Sequence, residues 1–327
     1  MTTLNYYSLY LSSPLILTLL FLEITWCWEV LIIDRKKVED FALTIKDRIK
    51  IRPSDFSDGI LFPSKNADRE SVLNFFFFMV AIDHRTSKTD SFRGIIDGKE
   101  YKGSDLMYRL AMLKFQQDPS FFDPHNMKKI TGRDIKEWLS ISEPTKVIIH
   151  EPDTRAFLLR DAAIKLIKLY DGSVENLIRR SQGMLYNPPE GGFVERLKVF
   201  RAYEDPVEKK PLLLAKFLER RGLLKIRDKH SKHVPVDNHL TRIAIRIGLV
   251  EIVDKELFNA FMWRREASRE EDILIRMIIR QAYDLVSKRI FIDPLVLDDF
   301  LWSFGRTICL PKNPKCIGDN NREQTCP

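Results

Sequence analysis

A carboxylate ahead of a predicted helix is the side chain in this sequence best suited to chemistry. Asp237 directly precedes a segment in which apolar residues, from Leu240 to Ile247, recur at three- and four-residue spacing. That spacing predicts a helix with one buried face and with Asp237 as its N-cap. A carboxylate there accepts backbone N–H bonds at the positive end of the helix dipole. Such a group could stabilise a positive charge that develops during a reaction.

Two adjacent lysines could supply a nucleophile. Lys209 and Lys210 immediately precede a predicted helix at 211–221. A lysine amine becomes nucleophilic when burial or neighbouring cations lower its pKa. The alternative is a solvated lysine pair at a helix start, because lysine is seldom buried.

A polar triplet, Asp83-His84-Arg85, follows four consecutive phenylalanines at a predicted chain reversal. A carboxylate, an imidazole and a guanidinium together could recognise a base edge or a phosphate. The same triplet could instead cap the C-terminus of a helix through ion pairs.

Aromatic side chains could form the walls of a base-binding pocket. We expect Phe75, Phe78 and Trp302 to serve in this way, with Trp138 and Trp263 as further candidates. The alternative for the phenylalanines is the core, because four consecutive residues point all round a helix.

Three of the four cysteines, Cys309, Cys316 and Cys326, lie within the last nineteen residues. Clustered cysteines in a chain without other signs of secretion indicate first a metal site and second a disulfide bridge. Four cysteines in 327 residues do not indicate a disulfide scaffold.

The segment around the carboxylate resembles a known family. Val236-Asp237-x-His239-x-x-Arg242 resembles the Val-Asp-Thr-His-Val-x-Arg-Val segment of the endonuclease III group, in the helix-hairpin-helix DNA glycosylase superfamily. The resemblance implies a two-lobed helical fold in which Asp237 is the catalytic carboxylate. We then expect His239 to contact the base and Arg242 a phosphate.

The C-terminal cysteines extend this resemblance in part. Phe-Gly-Arg at 304–306, followed by Cys309-x6-Cys316, is similar to the start of that family's iron–sulfur loop, Cys-x6-Cys-x2-Cys-x5-Cys. It implies a 4Fe-4S cluster. The pattern here is Cys-x6-Cys-x9-Cys, with Asp319 at the third ligand position and Cys326 one residue late. Asp319, a water or another group would complete the cluster, and a loop without a cluster is the alternative.

The family's glycine hairpin, Leu-Pro-Gly-Val-Gly-x-Lys-Thr-Ala, has lost its glycines here. The corresponding stretch at 203–214 is Tyr-Glu-Asp-Pro-Val-Glu-Lys-Lys-Pro-Leu-Leu-Leu. In bifunctional members this hairpin supplies a nucleophilic lysine, so the resemblance implies that Lys209 or Lys210 takes that part. Lys210 lies 27 residues before Asp237, which requires an insertion near 223–233.

A second resemblance covers more of the chain, from about 36 to 305. The run at 73–78, a hairpin at 98–103, and Leu106 and Leu110 resemble the queuosine salvage protein family. Its members hydrolyse the N-glycosidic bond of a queuosine nucleotide on a glycosylase-derived helical fold. They too lack the glycine hairpin and carry a lysine-containing helix before an Asp-x-x-Leu segment, as at Asp237.

Both resemblances imply one reaction, release of a base from a ribose or deoxyribose. This reaction develops an oxocarbenium ion, so it needs a fixed carboxylate and an attacking water or amine. We expect Lys229 and Lys232, in a basic loop ahead of Asp237, to contact phosphate, although an exposed basic loop needs no ligand.

The elements that position these residues are predicted to be almost all helical. The fold class expected is all-α and two-lobed, with a small β-hairpin near 94–102, where Asp97-Gly98 suits a tight turn. A weaker strand is expected at 146–150. Apolar spacing predicts helices at 36–48, 104–117, 155–169, 193–203, 211–221, 237–250, 254–263, 270–288 and 294–307.

Composition excludes collagen-like, low-complexity and disordered classes, since 44% of residues are apolar and 30% charged. Residues 1–34 form an apolar leader without Lys or Arg. It is a signal anchor, a translated extension, or a core helix or strand with a frayed tail. The domains expected are this leader, a helical body at 35–308 and a cysteine-containing loop at 309–327. The formal charge is +7, and without the three acids of the leader it is +10, which suits a phosphate-bearing partner.

Three functional hypotheses follow. The first is a base-excision DNA glycosylase, with or without lyase activity; the second is a queuosine-type nucleotide hydrolase; the third is a non-catalytic nucleic-acid-binding protein in which Asp237 is only a cap. The partner expected is DNA or a small nucleotide, with no membrane unless the leader is an anchor and no protein partner inferred. A cytoplasmic monomer is expected.

Overall fold

The fold is helical, with a few short strands. The computed structural model describes residues 30–50, 53–87, 92–262 and 265–315. Within these ranges the strands form sheets of two strands each, which confirms the predicted all-α class. The leader up to residue 29, Trp263, Cys316, Asp319 and Cys326 lie outside the described residues.

The helices and strands take the following bounds. The helices are α1 (Arg35–Lys46), α2 (Arg69–Ala81), α3 (Ser104–Gln117), α4 (Pro124–Met127), α5 (Gly132–Trp138), α6 (Pro152–Tyr170), α7 (Val174–Arg180), α8 (Phe193–Leu197), α9 (Lys209–Arg220), α10 (Asn238–Arg246), α11 (Lys255–Met262), α12 (Arg269–Ile290) and α13 (Pro294–Thr307). The strands are β1 (Leu31–Ile33), β2 (Arg93–Ile96), β3 (Lys99–Lys102), β4 (Ser140–Ile141), β5 (Val147–Ile148) and β6 (Val250–Ile252).

The chain divides into two compact units. The central unit is Ile51–Pro235, and the terminal unit combines Met1–Lys50 with Val236–Pro327. The terminal unit is therefore built from both ends of the chain. Antiparallel pairing of β1 with β6, which sets Ile32 opposite Glu251, joins the two ends.

The core of the central unit is organised around α2. Asp68 caps this helix by accepting the Ser71 amide at 2.9 Å, and every residue from Val72 to Ala81 is buried. A helix that is apolar all round has to be enclosed on all sides. Helices α7 and α9 and the short 3-10 helix Pro119–Phe122 pack against it.

The hairpin of the central unit has the bounds that its turn residues predict. Strands β2 and β3 pair antiparallel, with Ile96 opposite Lys99. Asp97 and Gly98 between them both take positive φ, 52° and 75°, as a type I′ turn requires. The predicted hairpin near 94–102 is confirmed.

The terminal unit is held by its two longest C-terminal helices and by α1. Ser268 and Glu271 form a capping box at the start of α12. Arg289, in the last turn of α12, pairs with Glu39 of α1 at 2.8 Å. No helix among the described residues combines the length and apolar character needed to cross a bilayer.

Two predicted helices were too long. The 193–203 prediction divides, because α8 ends at Leu197 and a separate 3-10 helix spans Arg201–Tyr203. The 237–250 prediction ends at Arg246, since Gly248 takes φ 76° beyond it and strand β6 starts at Val250. A glycine in the left-handed region is a common helix stop.

Candidate active site

A cluster of basic side chains surrounds the chain where it leaves α2, in the central unit. The last turn of a helix leaves backbone carbonyls without intrahelical partners, and these carbonyls form the negative end of the helix dipole. Here one lysine binds a carbonyl of that last turn, and a second lysine binds a carbonyl two residues beyond the helix. The Nζ of Lys210 donates to the carbonyl of Ala81 at 2.6 Å, and the Nζ of Lys209 donates to that of Asp83 at 3.3 Å.

An arginine completes the cluster. Arg155, on α6, has no exposed surface. Its guanidinium donates to the carbonyls of Ile82 and Arg85, the latter at 2.7 Å, and to that of His150 at 2.8 Å. All three nitrogens of the fork are thereby bonded, which a buried guanidinium requires.

The surroundings of Lys210 favour a neutral amine. Burial, followed by repulsion from the Lys209 ammonium, lowers the pKa of Lys210 to about 7, against attraction from Asp83. Near neutral pH a substantial fraction of this side chain therefore carries a free lone pair. A neutral amine still has N–H bonds to donate, so it can keep its contact with Ala81 while the lone pair faces another group.

A carboxylate and an imidazole lie in the same cluster. The Oδ2 of Asp83 accepts the hydroxyl of Tyr108 at 3.4 Å, and burial together with Asp83 raises the pKa of that phenol well above its usual range. Burial and the nearby Arg155 lower the pKa of His84 to about 2. His84 is therefore neutral at physiological pH, and its buried Nδ1 has no hydrogen-bond partner within the described part of the chain.

The turn ahead of α9 is closed by its own acid. Glu208, directly before α9, takes φ 61°, in the left-handed region that favours glycine. The carboxylate of Asp205 accepts the amides of Val207 and Lys209 at 3.2 and 3.4 Å, and its carbonyl accepts that of Glu208 at 2.8 Å. Asp205 thereby binds the amides of three consecutive residues within the turn.

Asp237 has the predicted capping position, in the terminal unit. Its Oδ1 accepts the amides of His239 and Leu240 at 2.8 and 3.0 Å, and it is partly exposed. The carboxylate is therefore fixed in direction at the positive end of α10. A cavity of about 620 Å³ in the same unit is lined by the following helix residues Asn238 and Thr241.

The arginines of α10 bind the end of α13. Arg242 donates to the carbonyls of Gly305 and Cys309 at 3.0 and 3.1 Å, and one of its nitrogens lies 3.4 Å from the Nδ1 of His239. Arg246 donates to the carbonyl of Leu310 at 2.6 Å. Contact of Arg242 with phosphate and of His239 with a base stay predictions.

Of the three C-terminal cysteines, the structure describes Cys309. Cys309 is fully buried, with its Sγ 3.6 Å from the guanidinium of Arg246. Among the described residues no group of three or more His, Cys, Asp or Glu side chains is arranged to hold a metal ion. The other two cysteines lie outside those residues, so the iron–sulfur cluster stays a prediction.

The remaining predicted site residues occupy varied surroundings. Phe75 and Phe78 are fully buried in the core of the central unit, whereas Trp302 is 41% exposed under the guanidinium of Arg306, 4.3 Å from its ring centre. Lys232 is buried in an ion pair with Glu219 at 2.7 Å. Lys229 and the triplet residue Arg85 are exposed, and Arg85 contributes its backbone carbonyl to the cluster.

Sequence reasoning did not identify Arg155, Tyr108 or Asp205. Arg155 and Tyr108 lie on the amphipathic helices α6 and α3, where a polar residue at a buried position was the only signal. Asp205 lies four residues before α9, and an acid two to four residues before a helix could have indicated the turn.

Comparisons with known proteins provide no assignment. No protein-family model matches the sequence, and a search of curated proteins finds no match. Among solved structures, a thermostable thymine-DNA glycosylase matches 86% of this chain and 92% of its own, at 16% identity and a TM-score of 0.39. Since that TM-score lies below 0.5, neither the substrate nor the site residues of that enzyme are transferred to this chain.

Proposed function

We propose that this protein cleaves N-glycosidic bonds, with the amine of Lys210 as the nucleophile. The observation that carries the proposal is the state of this amine: it is held by the Ala81 carbonyl at 2.6 Å, and its surroundings lower its pKa to about 7. A lysine of this kind can attack carbon near neutral pH, which a solvated lysine does poorly.

The reaction begins with attack of the Lys210 amine on the sugar. The lone pair of Lys210 forms a bond to C1′ of the sugar while the C1′–N bond breaks, and the base leaves with that electron pair and takes up a proton. The attached nitrogen of Lys210 loses one proton, and its lone pair then forms the C1′=N bond while the C1′–O4′ bond breaks. O4′ keeps that electron pair and takes up the second N–H proton, so the ring opens and an imine results. Water then releases the sugar, or elimination of the neighbouring phosphate gives a lyase product.

Other residues of the cluster have separate parts. Lys209 supplies a second positive charge that keeps Lys210 from protonating. Asp83 is the candidate acid or base. Its carboxylate accepts from Tyr108, and its own carbonyl binds Lys209. That Asp237, in the terminal unit, stabilises positive charge on a sugar stays a prediction of the sequence resemblance, and its own variant tests it.

The first candidate substrate is DNA that carries a damaged or mismatched base. The support is the segment Val236–Arg242, which resembles the endonuclease III group and begins α10 with a fixed carboxylate. The net positive charge of the chain also suits a polyanion.

The second candidate is a small nucleotide of the queuosine type. One observation favours it: Asp205 occupies the amides at 207–209, and its negative charge opposes a DNA phosphate at that turn. A small nucleotide needs no such backbone contact. The confirmed hairpin Arg93–Lys102 also belongs to the resemblance with that family.

Release of free base from both substrate classes tests the proposal. The purified chain is incubated with a panel of lesion-bearing duplexes and, in parallel, with queuosine monophosphate, and the released base is quantified by chromatography and mass spectrometry. Lys210→Arg serves as the negative control, because it keeps a long basic side chain but has no usable lone pair.

The outcomes separate the hypotheses. Release from one substrate, lost in Lys210→Arg, supports the proposal and names the class. Release that persists in Lys210→Arg would show that Lys210 is not the attacking group. Tight nucleic-acid binding without release from any substrate would favour the non-catalytic hypothesis.

A further inference from the structure

We propose that Arg155 is a positioning residue for the Lys210 amine. Its guanidinium fixes the backbone from Ile82 to Arg85. This backbone and the adjoining Ala81 carbonyl provide the hydrogen-bond acceptors of both lysines. This role rests on the proposed function, because it takes Lys210 as the nucleophile.

The geometry links three segments through one side chain. Arg155 rises from the first turn of α6 and bonds the carbonyl of His150, directly before that helix. Its other two nitrogens bond Ile82 and Arg85. A backbone bond from the His150 amide to the Thr86 carbonyl, 2.9 Å long, ties the same two segments together.

Fixing this backbone fixes the acceptors of the amines. The Ala81 carbonyl that binds Lys210 immediately precedes Ile82, and the Asp83 carbonyl that binds Lys209 follows it. If Ile82 shifted, both acceptors would shift with it, because consecutive peptide planes share a Cα atom. The position of the Lys210 amine is therefore set from α6 through Ile82.

An arginine suits this position better than other side chains. Its planar fork reaches three carbonyls at once, whereas a lysine ammonium at the end of a single stem concentrates its donors at one point. A buried guanidinium is unfavourable unless its donors are all bonded, and an apolar side chain would avoid that cost. Positioning gives a reason for a charge at this site.

The electrostatic surroundings act in the same direction. The charged and titratable groups around Lys210 are Lys209 and Asp205 from its own helix start, Asp83 and His84 from the α2 exit, and Arg155 from α6. Arg155 repels a proton on Lys210, as Lys209 does, and so lowers its pKa. Burial lowers the pKa of Arg155 itself to about 10, so it stays charged at neutral pH.

Competitive acetylation with mass spectrometry tests the proposal without any substrate. The full chain is labelled with a trace of acetic anhydride at a series of pH values, and tandem spectra resolve Lys210 from Lys209. The variants are Arg155→Lys, which keeps the charge but not the fork, and Arg155→Met. Arg160→Met is the matched control, since Arg160 also lies on α6 and donates to a backbone carbonyl, that of Ile130 at 2.7 Å.

The expected result is a wild-type labelling curve for Lys210 with its midpoint near 7. In Arg155→Met the midpoint should rise, and labelling at pH 7 should then fall about fivefold for the first pH unit by which the midpoint moves up and about tenfold for each further unit. Arg155→Lys should change the curve too, because one ammonium cannot hold three carbonyls, and Arg160→Met should not.

An unchanged curve in Arg155→Lys, with circular dichroism showing a native fold, would overturn the positioning role. If Arg155→Met does not fold, Arg155→Lys decides alone. Failure of the proposed function would look different: a wild-type midpoint near 7 that responds to Arg155, together with no base release from any substrate.

Discussion

Basic side chains cap the C-terminus of α13 in the terminal unit and that of α2 in the central unit. In the terminal unit, Arg242 and Arg246 bind carbonyls in the last turn of α13 and just beyond it. In the central unit, Lys210, Lys209 and Arg155 bind carbonyls at the end of α2 and just beyond it. Both sets satisfy orphan carbonyls and complement the negative end of a helix dipole.

The two caps differ in whether their side chains can lose a proton near neutral pH. An arginine stays protonated throughout the physiological range, so a cap built from arginines is structural. A lysine in a buried, positively charged setting loses its proton near neutral pH, and Lys210 is such a lysine. The same local requirement is met in one unit by inert groups and in the other by a reactive one.

The largest expected effect comes from removing the reactive amine. Replacing Lys210 by Ala should reduce base release by at least about a thousandfold, because a covalent nucleophile has no substitute in its site. Single-turnover release of base measures the loss. Lys209→Ala is the matched comparison, and it should act less strongly and mainly by raising the pKa of Lys210, since Lys209 repels its proton.

A smaller loss is expected at the carboxylate of α10. Asp237→Asn should lower the rate of base release by about 10²-fold, since a neutral amide stabilises a cationic sugar poorly. The free energy of unfolding should change by less than about 1 kcal/mol, because Asn is also a good N-cap. Asp293→Asn, at the N-cap of α13, is the control for the cap alone. Equal activities of the two variants would contradict the catalytic assignment.

The two caps should also differ in how stability depends on pH. The unfolded chain protonates a lysine near pH 10.4 and the folded chain protonates Lys210 near 7. Between these values the unfolded state binds more protons. The lowered pKa therefore reduces the free energy of unfolding by its full amount below pH 7, and this reduction becomes smaller as pH rises.

Urea unfolding at pH 6 to 9 measures this difference. The stability of the wild type relative to Lys210→Met should increase with pH, whereas its stability relative to Arg242→Met should stay constant, because arginine keeps its charge. Parallel curves for the two comparisons would mean that Lys210 is protonated in the folded protein at neutral pH.

The smallest effect is expected at the exposed arginine of the terminal cap. Arg246→Gln should destabilise the protein by about 1 kcal/mol through the lost bonds to Leu310 and Pro311. Base release should not change. A loss of activity comparable to that of Asp237→Asn would show that the terminal cap has more than a structural part.

Much of the helical architecture could be predicted from the sequence. The bounds of α3 and α13, 104–117 and 294–307, match the apolar spacing, and the hairpin follows from Asp97-Gly98. These elements depend on local periodicity and turn chemistry. The β1–β6 pairing could not be predicted, because it joins residues more than two hundred positions apart and leaves no local pattern.

The candidate site was predicted in part. Lys209, Lys210 and the triplet residues Asp83 and His84 were singled out, because lysine pairs and polar triplets leave local signals. Asp237, in the terminal unit, was singled out separately as a cap. The cluster around Arg155 was not, since it depends on which carbonyls α6 meets when it packs near α2. The pKa of Lys210 depends on the same packing, and no spacing in the sequence records it.

The most direct measurement is borohydride trapping followed by peptide mapping. The full chain is incubated with an abasic oligonucleotide or with ribose 5-phosphate, reduced, digested, and the modified lysine is identified by mass spectrometry. The account predicts one adduct, on Lys210, that forms with a midpoint near pH 7 and is lost in Lys210→Arg. Base release without any adduct, or an adduct on another lysine, would contradict it.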